Sequence, residues 1–165
     1  ESGMSAYSVR ELAAGELAAA ASMEAELFSD AWTEVSLQEL LANPCNHAYE
    51  LRIGEDAAAY CLTCEILDEG EILRIGTLRK YQNGGAGSFL LQDILRRRAE
   101  ITCWNLEVRE SNLAAAALYQ KCRFEVIGIR KNYYSSPTEN AVLMQRNRRH
   151  DASALSMADI SDDTF

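Results

Sequence analysis

From Ile75 to Ser88 the chain reads Ile-Gly-Thr-Leu-Arg-Lys-Tyr-Gln-Asn-Gly-Gly-Ala-Gly-Ser, an apolar run that turns through closely spaced glycines into a helical pattern. The run from Glu71 to Leu78 has the length and residue types of a strand. Beyond the glycines, Phe89, Leu90, Ile94 and Leu95 recur at helical spacing. Strand, glycine turn and helix in that order make an anion cradle, because the free N–H groups of the first helical turn point at the ligand. Gly84, Gly85 and Gly87 are the candidates for positive φ. The Lys-Ser/Thr that closes a Walker loop is missing. Gly85-Ala-Gly87 also lacks the third glycine of a dinucleotide fingerprint. A plain flexible connection is the simpler alternative.

A second chemical signal lies in Ile101–Arg109, where Leu106 and Val108 alternate with Asn105, Glu107 and Arg109. A strand inside an α/β sheet normally buries both faces, so this polar stripe implies a wet cleft, or else an edge strand. Within the stripe, a Glu107–Arg109 ion pair is the structural alternative to a chemical role for Glu107. Cys45, Cys61, Cys64, Cys103 and Cys122 are odd in number and scattered, which argues against a disulfide framework and for a reducing compartment. Cys61 and Cys64 are three apart in a strand pattern and point to opposite faces, so they read as core residues rather than metal ligands.

The elements that must position these groups are readable in outline. Ser8-Val-Arg-Glu11 fits a capping box and opens an alanine-rich helix to about Phe28. Thr33 caps a second helix that stops at Asn43-Pro44. His47–Ile53 and Ala57–Ile66 read as a hairpin around Gly54-Glu-Asp, followed by the strand leading to the glycine loop. A helix to about Glu100, the Ile101–Arg109 strand, a helix over Leu113–Cys122 and strands at Phe124–Tyr134 and Ala141–Gln145 complete the order. One domain over 4–146 is expected, of mixed α/β class. Glu1-Ser-Gly reads as a cloning remnant ahead of a start at Met4, and 147–165 as a disordered acidic tail.

With 165 residues, 48% of them apolar, the chain can bury a proper core. No apolar run approaches the ~20 residues of a membrane span. The net charge of −9 argues against nucleic acid as a partner and for cationic ones such as amines or basic peptides. A monomer or weak dimer in the cytoplasm is expected.

Gln82-x-x-Gly85-x-Gly87 resembles the pyrophosphate loop of GNAT-superfamily acyltransferases, which hold coenzyme A there. Leu106-Glu-Val-Arg-Glu-Ser-Asn-Leu through Leu118-Tyr119 to Phe124 resembles the long signature segment of the ribosomal-protein-alanine N-acetyltransferases. Arg130-Lys-Asn-Tyr-Tyr134 and Trp32-Thr-Glu-x-x-Leu37 are similar to two further segments of that family. The resemblance implies the GNAT fold, a mixed sheet with splayed middle strands flanked by helices. It implies transfer of acetyl from acetyl-CoA to a protein N-terminal α-amine, with ribosomal protein S18 as the namesake acceptor.

By the same resemblance Glu107 is the base and Tyr119 the acid. Ile75, Gly76 and Thr77 hold the pantetheine arm, and Asn83, Gly84, Gly85, Ala86, Gly87 and Ser88 the pyrophosphate. Asn112 contacts coenzyme A; it lies two helical turns before Tyr119, on the same side of the helix. Trp32, Arg109, Tyr133 and Tyr134 shape the acceptor groove. For Tyr119 a core position, and for Asn112 simple capping, remain alternatives. Asn83 stands where the family often has Arg, a charge that Arg79 or Lys80 is expected to replace. A lysine or small-molecule amine as acceptor, or a non-catalytic coenzyme A-binding module, are the competing functions.

Overall fold

A computed structural model describes residues 6–149. Two neighbouring strands, β4 (Glu69–Thr77) and β5 (Cys103–Arg109), run parallel but pair only at Glu69–Cys103, Gly70–Trp104 and Glu71–Asn105. Beyond that rung they part. Trp104 fixes the point of contact: its buried indole lies so close over Gly70 that a Cβ there would sit 2.5 Å from the ring. The rest of β4 keeps its other neighbour, β3 (Asp56–Ile66), and the rest of β5 is held by β7 (Glu139–Asn147). A gap between two supported strands results.

The complete sheet has the order β1-β2-β3-β4-β5-β7-β6, with β1 (Tyr7–Glu11), β2 (Asn46–Ile53) and β6 (Glu125–Tyr134) making up its remaining strands. Every pairing but β4–β5 is antiparallel. Helices α3 (Ala86–Arg97) and α4 (Leu113–Lys121) cover one face. Leu90, Leu91 and Ile94 of α3 are fully buried there with Tyr49, Cys61, Ile72 and Trp104. Each such side chain contributes about 1.5–3 kcal/mol. Helices α1 (Ala18–Leu27) and α2 (Glu34–Ala42) cover the other face through Leu17, Ala20, Met23 and Leu37 against Tyr60 and Leu62. Among the described residues no helix is long and apolar enough to cross a membrane.

The expected helix from Ser8 is not there. Residues 7–11 form the edge strand β1, paired antiparallel with β2, and Tyr7 and Val9 pack against the core while Ser8, Arg10 and Glu11 face water. The capping geometry occurs further on, where the Glu16 carboxylate accepts from the Ala13 N–H at 2.9 Å. The helix expected from Ser8 begins at Ala18. Thr33 does cap α2, accepting from the Ser36 N–H at 3.1 Å. At the other end, β7 runs to Asn147 and the Arg148 N–H donates to the Thr102 carbonyl at 2.8 Å, so packed structure continues past Arg146. Residues 1–5 and the rest of the expected tail lie outside the described residues.

Candidate active site

The glycine loop builds one wall of a cleft between β4 and α4. Asn83 has φ 68° and Gly85 φ 85°, so the left-handed steps fall on an asparagine, which tolerates them, and on one of the three candidate glycines. Gly87 serves a different end: a Cβ on it would meet Leu118 at 2.9 Å and Thr77 Oγ1 at 3.0 Å, so its absence lets α3 approach α4 and β4. Gly85 is the N-cap of α3 and has no side chain to accept from the first-turn amides. Those amides face a cleft of about 530 Å³, lined by Asn83, Gly85, Ala86, Gly87 and Ser88 from the loop. Ile75 and Thr77 of β4 line it from the sheet, and Asn112, Lys121 and Tyr119 from α4.

Among the described residues Lys121 is the one charged side chain in that lining. Arg79 and Lys80, expected to replace the charge missing at Asn83, do not reach it; they sit in an exposed 3-10 turn, with Lys80 over the Tyr81 ring at 5.2 Å. Lys121 was not evident from the sequence, because only the placement of α4 beside the loop brings its last turn there. Gly76 and Gly84 also fall outside the lining. Gly76 turns its α-carbon toward Tyr60 and Leu27, while the Gly84 carbonyl accepts from the Tyr7 hydroxyl at 3.3 Å.

Asn112 caps α4, its side chain accepting from the Ala115 N–H at 3.1 Å, and borders the cleft as well. Tyr119 takes the core position read as its alternative and also reaches the cleft. It is buried, with its ring 5.9 Å from that of Phe124, and it forms part of the cleft wall. Burial pushes its hydroxyl pKa far up, so the proton stays on.

Glu107 lies on the other face of the sheet. It lines a smaller cleft of about 180 Å³ with Glu71, Ile127 and Arg130. The ion pair with Arg109, weighed as the structural alternative, does not form. Arg130 of β6 reaches over β7 and places Nη1 3.5 Å from Glu107 Oε1, while a quarter of the carboxylate side chain remains exposed. Tyr133 stands against the same carboxylate, which raises the pKa of its hydroxyl. The ring of Tyr134 packs edge-on to Tyr133 at 5.1 Å. Burial raises the Tyr134 hydroxyl pKa, and the Glu107 carboxylate raises it further.

Arg109 and Trp32 line neither cleft. Arg109 pairs with Glu139 at 3.3 Å, donates to the carbonyls of Ser135 and Pro137, and covers the Tyr134 ring at 4.4 Å. It thereby braces the β6–β7 turn. Trp32, half-buried at the start of α2, faces the Arg74 guanidinium at 5.8 Å, and Arg74 also covers Phe28 at 4.1 Å. The loop between α1 and α2 is therefore pinned to β4.

An anion cradle on one face, a carboxylate on the other and a gap between them suit transfer between a phosphate-bearing donor and an amine. The Acetyltransferase (GNAT) family model matches residues 16–124.

The chain belongs to the GNAT acetyltransferase family.

Among GNAT relatives, the putative ribosomal protein bS18-alanine N-acetyltransferase of Bacillus subtilis is 33% identical over 125 residues, 74% of this chain and 83% of that one. The ribosomal protein bS18-alanine N-acetyltransferase of Escherichia coli K12 is 39% identical over 101 residues, 58% of this chain and 68% of that one. A crystal structure of the Escherichia coli ribosomal-protein-S18-alanine N-acetyltransferase matches with a TM-score of 0.78 at 28% identity, covering 86% of this chain and 93% of that one. The Ard1 structure from Thermoplasma volcanium, at 22% identity and a TM-score of 0.75, shares the fold. The splayed sheet that the family resemblance implied is thus a GNAT sheet, and the protein is a GNAT N-acetyltransferase.

Proposed function

We propose that this GNAT enzyme transfers the acetyl group of acetyl-CoA to the free α-amine of a protein N-terminus. The alanine of ribosomal protein bS18, the acceptor named for its relatives, is the proposed substrate. The observation that carries the reading is the parting of β4 and β5 after the Glu71 rung, with Glu107 facing one side of the gap and Tyr119 the other.

The residues present fit acetyl-CoA. The diphosphate would lie on the first-turn amides of α3 at Ala86, Gly87 and Ser88, where a glycine N-cap leaves room and the helix dipole favours negative charge. Lys121 adds a full positive charge to the same cleft. Asn112 would border the nucleotide side. Beyond Glu71, β4 has no strand on its β5 side, so the backbone of Ile75–Thr77 offers a free edge to the amide-bearing pantetheine arm. When bound, acetyl-CoA supplies a thioester activated toward an amine.

Glu107 takes the proton from the acceptor nitrogen, directly or through water. An α-ammonium has a pKa of only ~8, against ~10.4 for lysine, so a carboxylate suffices. The Tyr119 hydroxyl, kept protonated by burial, would serve as the proton donor for the thiolate leaving group of a bound acetyl-CoA. Direct attack needs no protein nucleophile, and Cys61 and Cys122 are buried thiols whose pKa values burial pushes up. Tyr133, Tyr134 and the loop carrying Trp32 form the walls along which the peptide enters.

The test is thiol release with acetyl-CoA and peptides bearing a free N-terminal alanine, the same peptide with its α-amine blocked, and a blocked peptide with an internal lysine. Turnover confined to the free α-amine is expected; turnover of the lysine peptide alone would overturn the acceptor. Tyr119→Phe keeps the ring in the core and is expected to lower kcat about 10²-fold with both KM values within twofold of wild type. Lys121→Ala is expected to raise the KM for acetyl-CoA about fivefold at unchanged kcat, since it removes one solvent-touched ion pair.

A further inference from the structure

Glu71 occupies the last rung on which β4 and β5 touch, opposite Asn105. Side chains alternate along each strand, so this register sets Glu71 on the face that carries Asn105 and Glu107. There it lines the small cleft with Glu107 and Arg130. The charges around that cleft do not cancel. Glu107 has Arg130 at 3.5 Å and Arg109 has Glu139 at 3.3 Å, whereas Glu71 makes no ion pair among the described residues. The lining therefore holds two carboxylates and one guanidinium, with room for one more cation.

Building on the acceptor reading above, we propose that Glu71 binds the acceptor directly: its carboxylate holds the incoming α-ammonium at the mouth of the gap, beside the base that deprotonates it. The two carboxylates divide the work by depth. Glu71 stands nearer to solvent, so it captures and releases a cation readily, while the Glu107 side chain is three-quarters buried. Partial burial raises the Glu71 carboxyl pKa, and the charge of Glu107 beside it raises it further. A cation between them removes that repulsion. Tyr133, against which both carboxylates bear, closes the same side.

The experiment is a cycle between protein and ligand. Wild type and Glu71→Gln are compared with the free N-terminal alanine peptide as substrate and with its des-amino analogue, which lacks the ammonium, as inhibitor. The expected result is a five- to tenfold rise in peptide KM in the variant, with kcat and the KM for acetyl-CoA unchanged and the inhibition constant of the des-amino peptide unmoved. The KM difference should shrink as salt rises from 0.05 to about 0.5 M, because the contact touches solvent. An unchanged peptide KM, or equal weakening of both peptides, overturns the proposal. Absence of turnover by wild type on any free N-terminus would instead overturn the acceptor reading on which it rests.

Discussion

Glu107→Gln lowers kcat at pH 7 by about 10³-fold, within the range that a positioned general base contributes, while the peptide and acetyl-CoA KM values stay within about threefold. The substitution is nearly isosteric, and what it removes from the resting protein is small. Arg130 is half exposed and keeps its hydration when its partner loses charge, so the fold loses less than ~1 kcal/mol. What it removes from the reaction is the acceptor for the amine proton. The deficit should therefore depend on pH in a way that misfolding would not. Near pH 7 only about one α-amine in ten is neutral, given a pKa of ~8. Above pH 9 solvent has already taken the proton, so the variant should regain about tenfold relative to wild type, the part of the deficit that the ammonium form at pH 7 accounts for. A deficit that stays constant from pH 7 to pH 9.5 would remove Glu107 from the role of base.

The strands from β2 to β7 were legible because each is an apolar or alternating run bounded by its own turn residues, information that lies within a few positions. β1 was not. Only Tyr7 and Val9 face the core over its length, too few to establish a period, and Ser8 and Glu11 happen to sit at capping-box spacing. Pairing with β2, a contact some 40 residues away in sequence, outweighed that local preference. The site divides in the same way. The glycine loop and the polar stripe of β5 are local patterns and were visible. Arg130 could not be read as the partner of Glu107 because β7 inserts between β5 and β6, so a residue of β6 reaches Glu107 where its strand neighbour Arg109 does not. Lys121 and Glu71 were missed for the same reason: each becomes part of a cleft only when distant elements pack. Gly87 was legible as special but for the wrong cause, close approach rather than positive φ.

The groove wall offers a prediction about stability that also reaches function. Glu24 of α1 is fully buried, its Oε2 accepts from Arg74 Nη1 at 2.7 Å, and it stands against the buried Tyr60 hydroxyl. Arg74 also pairs with Asp30 at 3.3 Å and stacks over Phe28 at 4.1 Å. Arg74→Met keeps most of the side-chain volume and leaves a buried carboxylate without its cation, a change that costs about 3–5 kcal/mol when a buried pair is broken. Arg74 retains 18% exposure, which lets some water in, so the lower end is expected, about 3 kcal/mol. For a domain of this size that is a fall in Tm of about 10 °C. Glu24→Gln in the Arg74→Met background removes the orphaned charge and should restore more than half of the loss, a coupling that independent sites would not show. The same variant frees the Phe28–Trp32 loop from β4. Because Trp104 is fully buried and Trp32 is not, acrylamide quenching reads Trp32 selectively and should increase in Arg74→Met. The peptide KM should rise with it, since the wall no longer has a fixed position, while the KM for acetyl-CoA, bound on the opposite face, should not. Equal losses in the single and double variants would mean that the carboxylate was never stabilised by Arg74, and that the loop is held by its aromatic packing alone.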